Sequence, residues 1–274
     1  MIQRGARGRR GAVSAQTMFL AAAGILVVAG IVAFWALRTR EEKKEEVIGK
    51  VGYQSPFKLA RKAGINLPIG DHARTGAAAA ETTVEVPIEW GKNLAANEQK
   101  LAERYAAIAA GLTRPEGVHT FGETITLKVD RDLEYRNLVQ AVLAGQKEGF
   151  LKFRIACWKT GEQTDVGYLD VELPTDVPVG KNVLLFRMYR KGEIIRYVFG
   201  VSKVREYTSL SNAAKVMENT VNVLKQKDPA LLRQKILVLS PSIVISVQNV
   251  VEGLNAATYA GFERIALGRP SKLY

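Results

Sequence analysis

The feature that most constrains this chain is an uncharged run of twenty residues at positions 18–37, MFLAAAGILVVAGIVAFWAL. A helix rises about 1.5 Å per residue, so a run of this length spans the roughly 30 Å hydrocarbon layer of a bilayer. Only a helix satisfies every backbone polar group of such a segment internally. A cleaved signal peptide is the alternative, but its apolar region would be shorter and a small-residue cleavage site should follow. The run therefore predicts a membrane anchor.

Charges around the anchor predict its orientation. Four arginines and no acidic residue precede it, namely Arg4, Arg7, Arg9 and Arg10. The segment that follows the anchor, RTREEKKEE, carries four basic and four acidic side chains. Because cytoplasmic flanks retain positive charge, we expect a single-pass membrane protein with its N-terminus in the cytoplasm and residues 41–274 outside.

The anchor itself is rich in small residues, among them Gly24, Gly30 and Ala33. Such residues let two helices approach closely, so we expect the anchor to pack against another membrane helix. The alternative is that small residues have no special role here, since they are common in any anchor.

The sequence contains no pattern of catalytic or ligand-binding residues. Cys157 is the only cysteine, so no internal disulfide forms, and its apolar surroundings predict a buried side chain. His72 and His119 are far apart and lack metal-ligand spacing, and no phosphate-binding loop or nucleophile elbow is present. Residues 41–274 hold 33 basic and 27 acidic side chains without a basic stripe. We therefore expect no enzyme, no cofactor or metal, and no nucleic-acid partner.

Composition and hydrophobic periodicity divide the chain into six segments. The predicted segments are a basic cytoplasmic end (1–17), the transmembrane helix (18–37), a stalk (38–81), a first folded domain (82–157), a connecting strand with a Pro-rich joint (158–182) and a second folded domain (183–274). Within each domain, apolar residues recur alternately with the period of a strand and with that of a helix. Each domain is therefore predicted to be a small β-α-β-α-β unit.

The second domain repeats the first at an offset of 112 residues. Gly149-Phe150 aligns with Gly261-Phe262, and Leu127 aligns with Leu239. The second domain opens with two alternating runs on either side of Lys191-Gly192, which predicts a hairpin. A single offset over this length indicates a tandem duplication. Two copies in one chain could pair with each other as an internal pseudo-dimer.

The repeated unit resembles the ExbD/TolR family. The segment ITLKVDRDLEYRNLVQAVLAGQKEGFLKFRIA is similar to the C-terminal half of the family's periplasmic domain, in which a strand ends in an acidic turn and a Tyr opens the next helix. The segment from RKGEIIRYVFG to GFERIALG resembles the whole domain, opening hairpin included. We therefore expect an α+β fold, with a single N-terminal transmembrane helix followed by two tandem ExbD/TolR-like domains.

The resemblance implies a subunit of an energy-coupling, biopolymer-transport or envelope-motor complex, anchored in a bacterial inner membrane with its folded part in the periplasm. Its partners would be a multi-span, ring-forming inner-membrane protein of the ExbB/TolQ kind, further copies of this chain, and a periplasmic protein or peptidoglycan. In the family an aspartate within the anchor carries protons, but no ionisable residue lies between Thr17 and Arg38. Either the proton carrier lies on another subunit, or the chain is a structural scaffold or assembly platform of the envelope or a secretion system.

Two further features are candidates for partner binding. Val84, Val86 and Ile88 belong to a predicted edge strand, which could accept a strand from a partner or pair within a dimer. Asp130 and Asp132 form the acidic turn of the first copy. At the same offset the second copy has serine and valine, so we do not expect both copies to bind the same partner.

Overall fold

The structure is a computed structural model that describes residues 63–114, 118–160, 163–175, 182–200 and 204–270. The predicted anchor, with Gly24, Gly30 and Ala33, and the arginines before it lie outside these residues. Among the helices that are described, none combines the length and the apolar character needed to cross a membrane.

Ten strands and five helices occur in the described ranges. The strands are β1 (Arg74–Thr75), β2 (Thr83–Val86), β3 (Phe121–Val129), β4 (Phe150–Trp158), β5 (Val166–Thr175), β6 (Val183–Lys191), β7 (Ile194–Phe199), β8 (Arg205–Tyr207), β9 (Ile236–Pro241) and β10 (Ile265–Gly268). The helices are α1 (Leu94–Ala110), α2 (Tyr135–Lys147), α3 (Leu210–Lys227), α4 (Pro229–Gln234) and α5 (Val247–Ala260). Short 3-10 turns lie at Ala80–Thr82 and Ile88–Lys92.

All ten strands belong to one mixed sheet. Its order is β2-β3-β4-β5-β10-β9-β6-β7-β8, with β1 beside β5. Strands β2, β3 and β4 are parallel, whereas β5 is antiparallel to β4 and parallel to β10. Strands β10, β9 and β6 are parallel to one another, and β7 and β8 complete the sheet as an antiparallel meander.

The expectation of two tandem α+β domains is therefore wrong, because the two repeats share a single sheet in a mixed α/β fold. The strand responsible is β5, which was assigned to the connection between domains. It pairs with β4 on one side and with β10 on the other. Separate domains would leave both of those strands with an exposed edge, and β5 removes both edges at once.

The 112-residue offset relates the elements on either side of β5. It carries β3 onto β9, α2 onto α5 and β4 onto β10. The two helix-ending glycines, Gly149 and Gly261, have left-handed φ angles of 95° and 93°. We call residues 83–158 the first half and residues 183–268 the second half. From β3 to β4 and from β9 to β10 the two halves repeat one arrangement, and β6 pairs with β9 as β2 pairs with β3. The second half adds β7, β8 and α4.

The loops that precede α2 and α5 join the halves about a pseudo-two-fold axis. The Tyr135 N–H donates to the Ile245 carbonyl at 2.7 Å, and the Val247 N–H donates to the Leu133 carbonyl at 2.7 Å. These two bonds exchange under the 112-residue offset, as symmetry requires. The N-cap of α2 is Glu134, whose side chain forms no capping hydrogen bond. The loop instead uses its backbone to pair with the other half.

The helices α1, α2, α3 and α5 pack on one face of the sheet. Their predicted apolar stripes are buried there, as Leu101, Tyr105 and Ile108 of α1 show. Successive strand residues point to opposite faces, so half of each strand faces away from these helices. We call the side without helices the outer face.

Candidate functional site

The acidic turn of the first half is part of the fold's internal bonding. Asp130 is fully buried, and its carboxylate accepts from the backbone N–H of Asn66 at 3.2 Å and of Asp132 at 3.1 Å. The Arg131 N–H donates to the Asn66 carbonyl at 2.8 Å. The side chain of Asp132 is about half exposed and lies 3.9 Å from the Arg131 guanidinium. Asp130 thus fastens an N-terminal segment to the body, whereas Asp132 is accessible from outside.

That N-terminal segment, residues 65–75, is here called the strap, and the sequence analysis assigns it to the stalk. Amide side chains of α5 hold its backbone. Gln248 accepts from the Ile69 N–H at 3.0 Å, and Asn255 accepts from the His72 N–H at 2.8 Å. The strap also extends the sheet, since Trp158 exchanges backbone hydrogen bonds with Pro68 and Gly70. The strap is therefore fixed to both halves.

The predicted partner-binding edge is the end strand of the sheet. Val84 and Val86 lie in β2, paired with β3, and both side chains are buried toward the helices. Ile88 is half-buried in the 3-10 turn that follows, because Pro87 ends the strand. The side chains of Val84 and Val86 are therefore not available to a partner strand, which would pair with the backbone of this edge. Its binding to a partner stays a prediction.

Local bonds occupy the backbone groups of Thr83 at this edge. The Thr83 carbonyl accepts from Arg104 Nη2 of α1 at 2.8 Å, and the Thr83 N–H donates to Ala80. Glu85 is the remaining β2 residue whose backbone faces away from β3. Charges and short strands of this kind protect sheet edges from unwanted pairing. An incoming strand would have to displace the Arg104 guanidinium.

A cavity of about 750 Å³ lies on the outer face where the halves meet at β5. Val183, Ile236, Val238 and Ala266 line its second-half side. Beside them, Arg264 of the second half forms a bidentate ion pair with Glu172 of β5, with distances of 2.7 Å and 3.0 Å. Hydrogen bonding to Glu172 raises the pKa of Arg264, so its charge is retained. The cavity is thus lined by both apolar and ionic side chains.

Sequence reasoning did not single out this outer face, although the signal was present. In β9 the run Ile236-Leu237-Val238-Leu239 is apolar without alternation, which is typical of a strand covered on both faces. The aligned run of β3 alternates, with Thr124 and Thr126 at the outer positions. Comparing the repeats position by position would have found the difference.

The described residues contain no group of three or more side chains suited to holding a metal ion. Cys157 is buried, as predicted. Its burial is the main cause that raises the pKa of the thiol to about 12, and the charge of the nearby Asp71 carboxylate is a smaller cause. The thiol is therefore neutral at ordinary pH and unsuited to nucleophilic chemistry.

Comparisons with known proteins add no relative. No protein-family model, no curated protein and no solved structure matches this chain.

Proposed function

We propose that the chain is a single-pass subunit of an ExbD/TolR-like envelope complex, in which one polypeptide supplies a body equivalent to a pair of periplasmic domains. In that family the periplasmic domains dimerise. Here the two copies are joined by the exchanged backbone bonds at Tyr135 and Val247 and by the common strand β5. This internal pairing is the observation that carries the proposal.

The absence of an ionisable residue from positions 18–37 defines the role within such a complex. A helix without an ionisable side chain cannot bind and release a proton at the middle of the bilayer. The chain would therefore support or position the moving parts, while a partner subunit carries the protons. Its small residues would let the anchor pack closely against that partner.

The test is purification of the full chain in a mild detergent, with identification of co-purifying proteins and measurement of the intact mass of the complex. We expect a multi-span, ring-forming membrane protein and one copy of this chain in each ring. Two copies in each ring would contradict the proposal that one chain replaces a pair of family subunits. A complex without any multi-span protein would contradict membership of an energised complex.

A pair of anchor variants makes this test specific. Replacing Gly24 and Gly30 by leucine adds bulk where close helix packing is predicted, so the ring protein should be lost. Replacing Ala29 and Val32 by leucine adds bulk on the other side of the same predicted helix and should retain it. If both variants retain the ring protein equally, the small residues are not part of the proposed interface.

The second candidate function is a scaffold or assembly platform that moves no protons in any subunit. The observation that favours it is the same uncharged anchor, because such an anchor suffices for a tether. Recovery of the chain with other envelope proteins, and with no ring, would support this alternative.

A further inference from the structure

The two halves of the body carry different charge. Residues 83–158 contain ten basic and ten acidic side chains, whereas residues 183–268 contain twelve basic and six acidic ones. The net positive charge is therefore concentrated in the second half, the half that contains β7 and β8.

Part of this charge forms an ordered array on the outer face of β6 and β7. Three residue pairs lie directly opposite each other across the two strands, namely Arg187 with Val198, Tyr189 with Arg196 and Lys191 with Ile194. Residues on the same face of a strand are about 7 Å apart, so three cations surround Tyr189. We call these six residues the cationic face.

Two of these cations have no acidic partner among the residues that the structure describes. Arg196 lies 3.6 Å from Glu206 of β8, and the same carboxylate accepts from the Tyr189 hydroxyl at 2.5 Å. Arg187 and Lys191 are exposed and form no ion pair with any residue that the structure describes. Their charge is available to an external anion.

The other residues of the face indicate which kind of anion. Ile194 is 50% exposed, and Val198 and Tyr189 are partly exposed beside the cations. Aliphatic and tyrosine side chains among cations are typical of surfaces that lie at the lipid–water interface. A soluble polyanion would gain nothing from an exposed isoleucine at this position.

We propose that the cationic face docks onto anionic phospholipid headgroups and so orients the body with its second half toward the bilayer. This inference rests on the proposed function only in that the anchor holds the body near the membrane. Anionic headgroups attract each nearby cation, and Tyr189 and Ile194 would lie at the level of the headgroups.

The experiment places a fluorophore on the face of the full chain. Ile194→Cys is labelled and the chain is inserted into nanodiscs whose lipids carry a headgroup quencher. One set contains phosphatidylcholine alone and the other also contains phosphatidylglycerol. Native Cys157 is buried and resists labelling. Val118→Cys, at a position 44% exposed in the first half, is the matched reference site.

We expect strong quenching at position 194 only with phosphatidylglycerol, weakening as salt is raised, and little change at position 118. Replacing Arg187 and Lys191 by glutamine should reduce the docked population by roughly fivefold for each cation. Replacing Lys225 and Lys227 by glutamine removes the same charge from the end of α3 and should have little effect.

Four results would overturn the inference. One is equal quenching at positions 194 and 118, and another is quenching that does not depend on phosphatidylglycerol. The third is equal loss in both double variants, which would assign the effect to net charge. Binding to purified peptidoglycan without any lipid response would likewise contradict it.

Failure of the anchor to insert is distinguished from failure of the cationic face to bind lipid. A chain that does not insert into nanodiscs contradicts the proposed function. The same labelled chain is then added to preformed vesicles of the two lipid compositions, where quenching at position 194 reports the cationic face alone.

Discussion

Thr126 in β3 and Val238 in β9 occupy equivalent positions on the outer face, 112 residues apart. The Thr126 hydroxyl accepts from Arg154 at 2.8 Å, whereas Val238 borders an apolar cavity wall. On the opposite face the equivalent residues are Leu127 and Leu239, both fully buried. Packing against helices restricts one face of each half, and the other face is where the halves differ.

The helix-facing core also differs between the halves. A small residue beside large rings in the first half corresponds to a larger residue beside smaller side chains in the second. Gly145 of α2 corresponds to Ala257 of α5. A Cβ atom at Gly145 would lie 2.8 Å from the rings of Tyr105 and Phe153. Their second-half equivalents are the smaller Met217 and Ile265. The larger aromatic rings of the first half thus occupy the space that an alanine methyl fills in the second.

The largest expected difference between the halves concerns their helix-ending glycines. Alanine at either Gly149 or Gly261 would have to adopt a left-handed φ, at a cost of roughly 1 to 2 kcal/mol. At Gly149 the new Cβ would also lie 2.6 Å from the His119 carbonyl, whereas at Gly261 its nearest atom is 3.3 Å away. Urea unfolding in mild detergent should show a loss of about 3 kcal/mol for Gly149→Ala and about 1.5 kcal/mol for Gly261→Ala. Equal losses would show that the first half is no tighter there.

A second comparison transfers a residue of the second half into the first. Gly145→Ala should lower the free energy of unfolding by about 2 kcal/mol, because the methyl overlaps two aromatic rings. Adding Phe153→Ile, which copies the second half, should recover part of that loss in the same urea assay. A double variant less stable than Gly145→Ala alone would refute this match between residue sizes.

The outer-face difference gives a smaller effect. Thr126→Val removes the hydroxyl that accepts from the Arg154 guanidinium, and we expect a loss of about 1.5 kcal/mol. Val238→Thr places a hydroxyl among aliphatic side chains and should cost about as much. Thermal melting of both single variants measures this, and two neutral results would mean that the outer face contributes little to stability.

The smallest expected difference appears at alkaline pH and belongs to the first half. Burial raises the Cys157 pKa from 9.0 to about 12, while the aligned position in the second half is Arg269. The folded state therefore favours the neutral thiol, and its contribution is constant below pH 9 and declines as pH rises toward 12. Relative to Cys157→Ala, the natural chain should lose about 1 kcal/mol of stability between pH 9 and pH 10. An unchanged difference would mean that the thiol is accessible to water.

Sequence reasoning found the repeated elements because each has its own period and its own end signal. The hairpin at Gly192, the helix ends at Gly149 and Gly261, and the buried stripes are local properties of the chain. Strand pairing is not local, and nothing in the pattern of β5 indicates that it bonds to β10. The strap was missed for the same reason, since side chains 179 and 183 positions away in the sequence hold its backbone. The outer-face difference was readable in principle, from the missing alternation in β9.

Strand β5 lies between the two copies and joins them within one polypeptide. In an assembly of two identical chains, every substitution appears twice, and both subunits must change together. A sheet that encloses both copies in one polypeptide lifts that restriction. One copy can acquire a charged exterior while its counterpart stays neutral, so the division of labour is encoded in a single gene product.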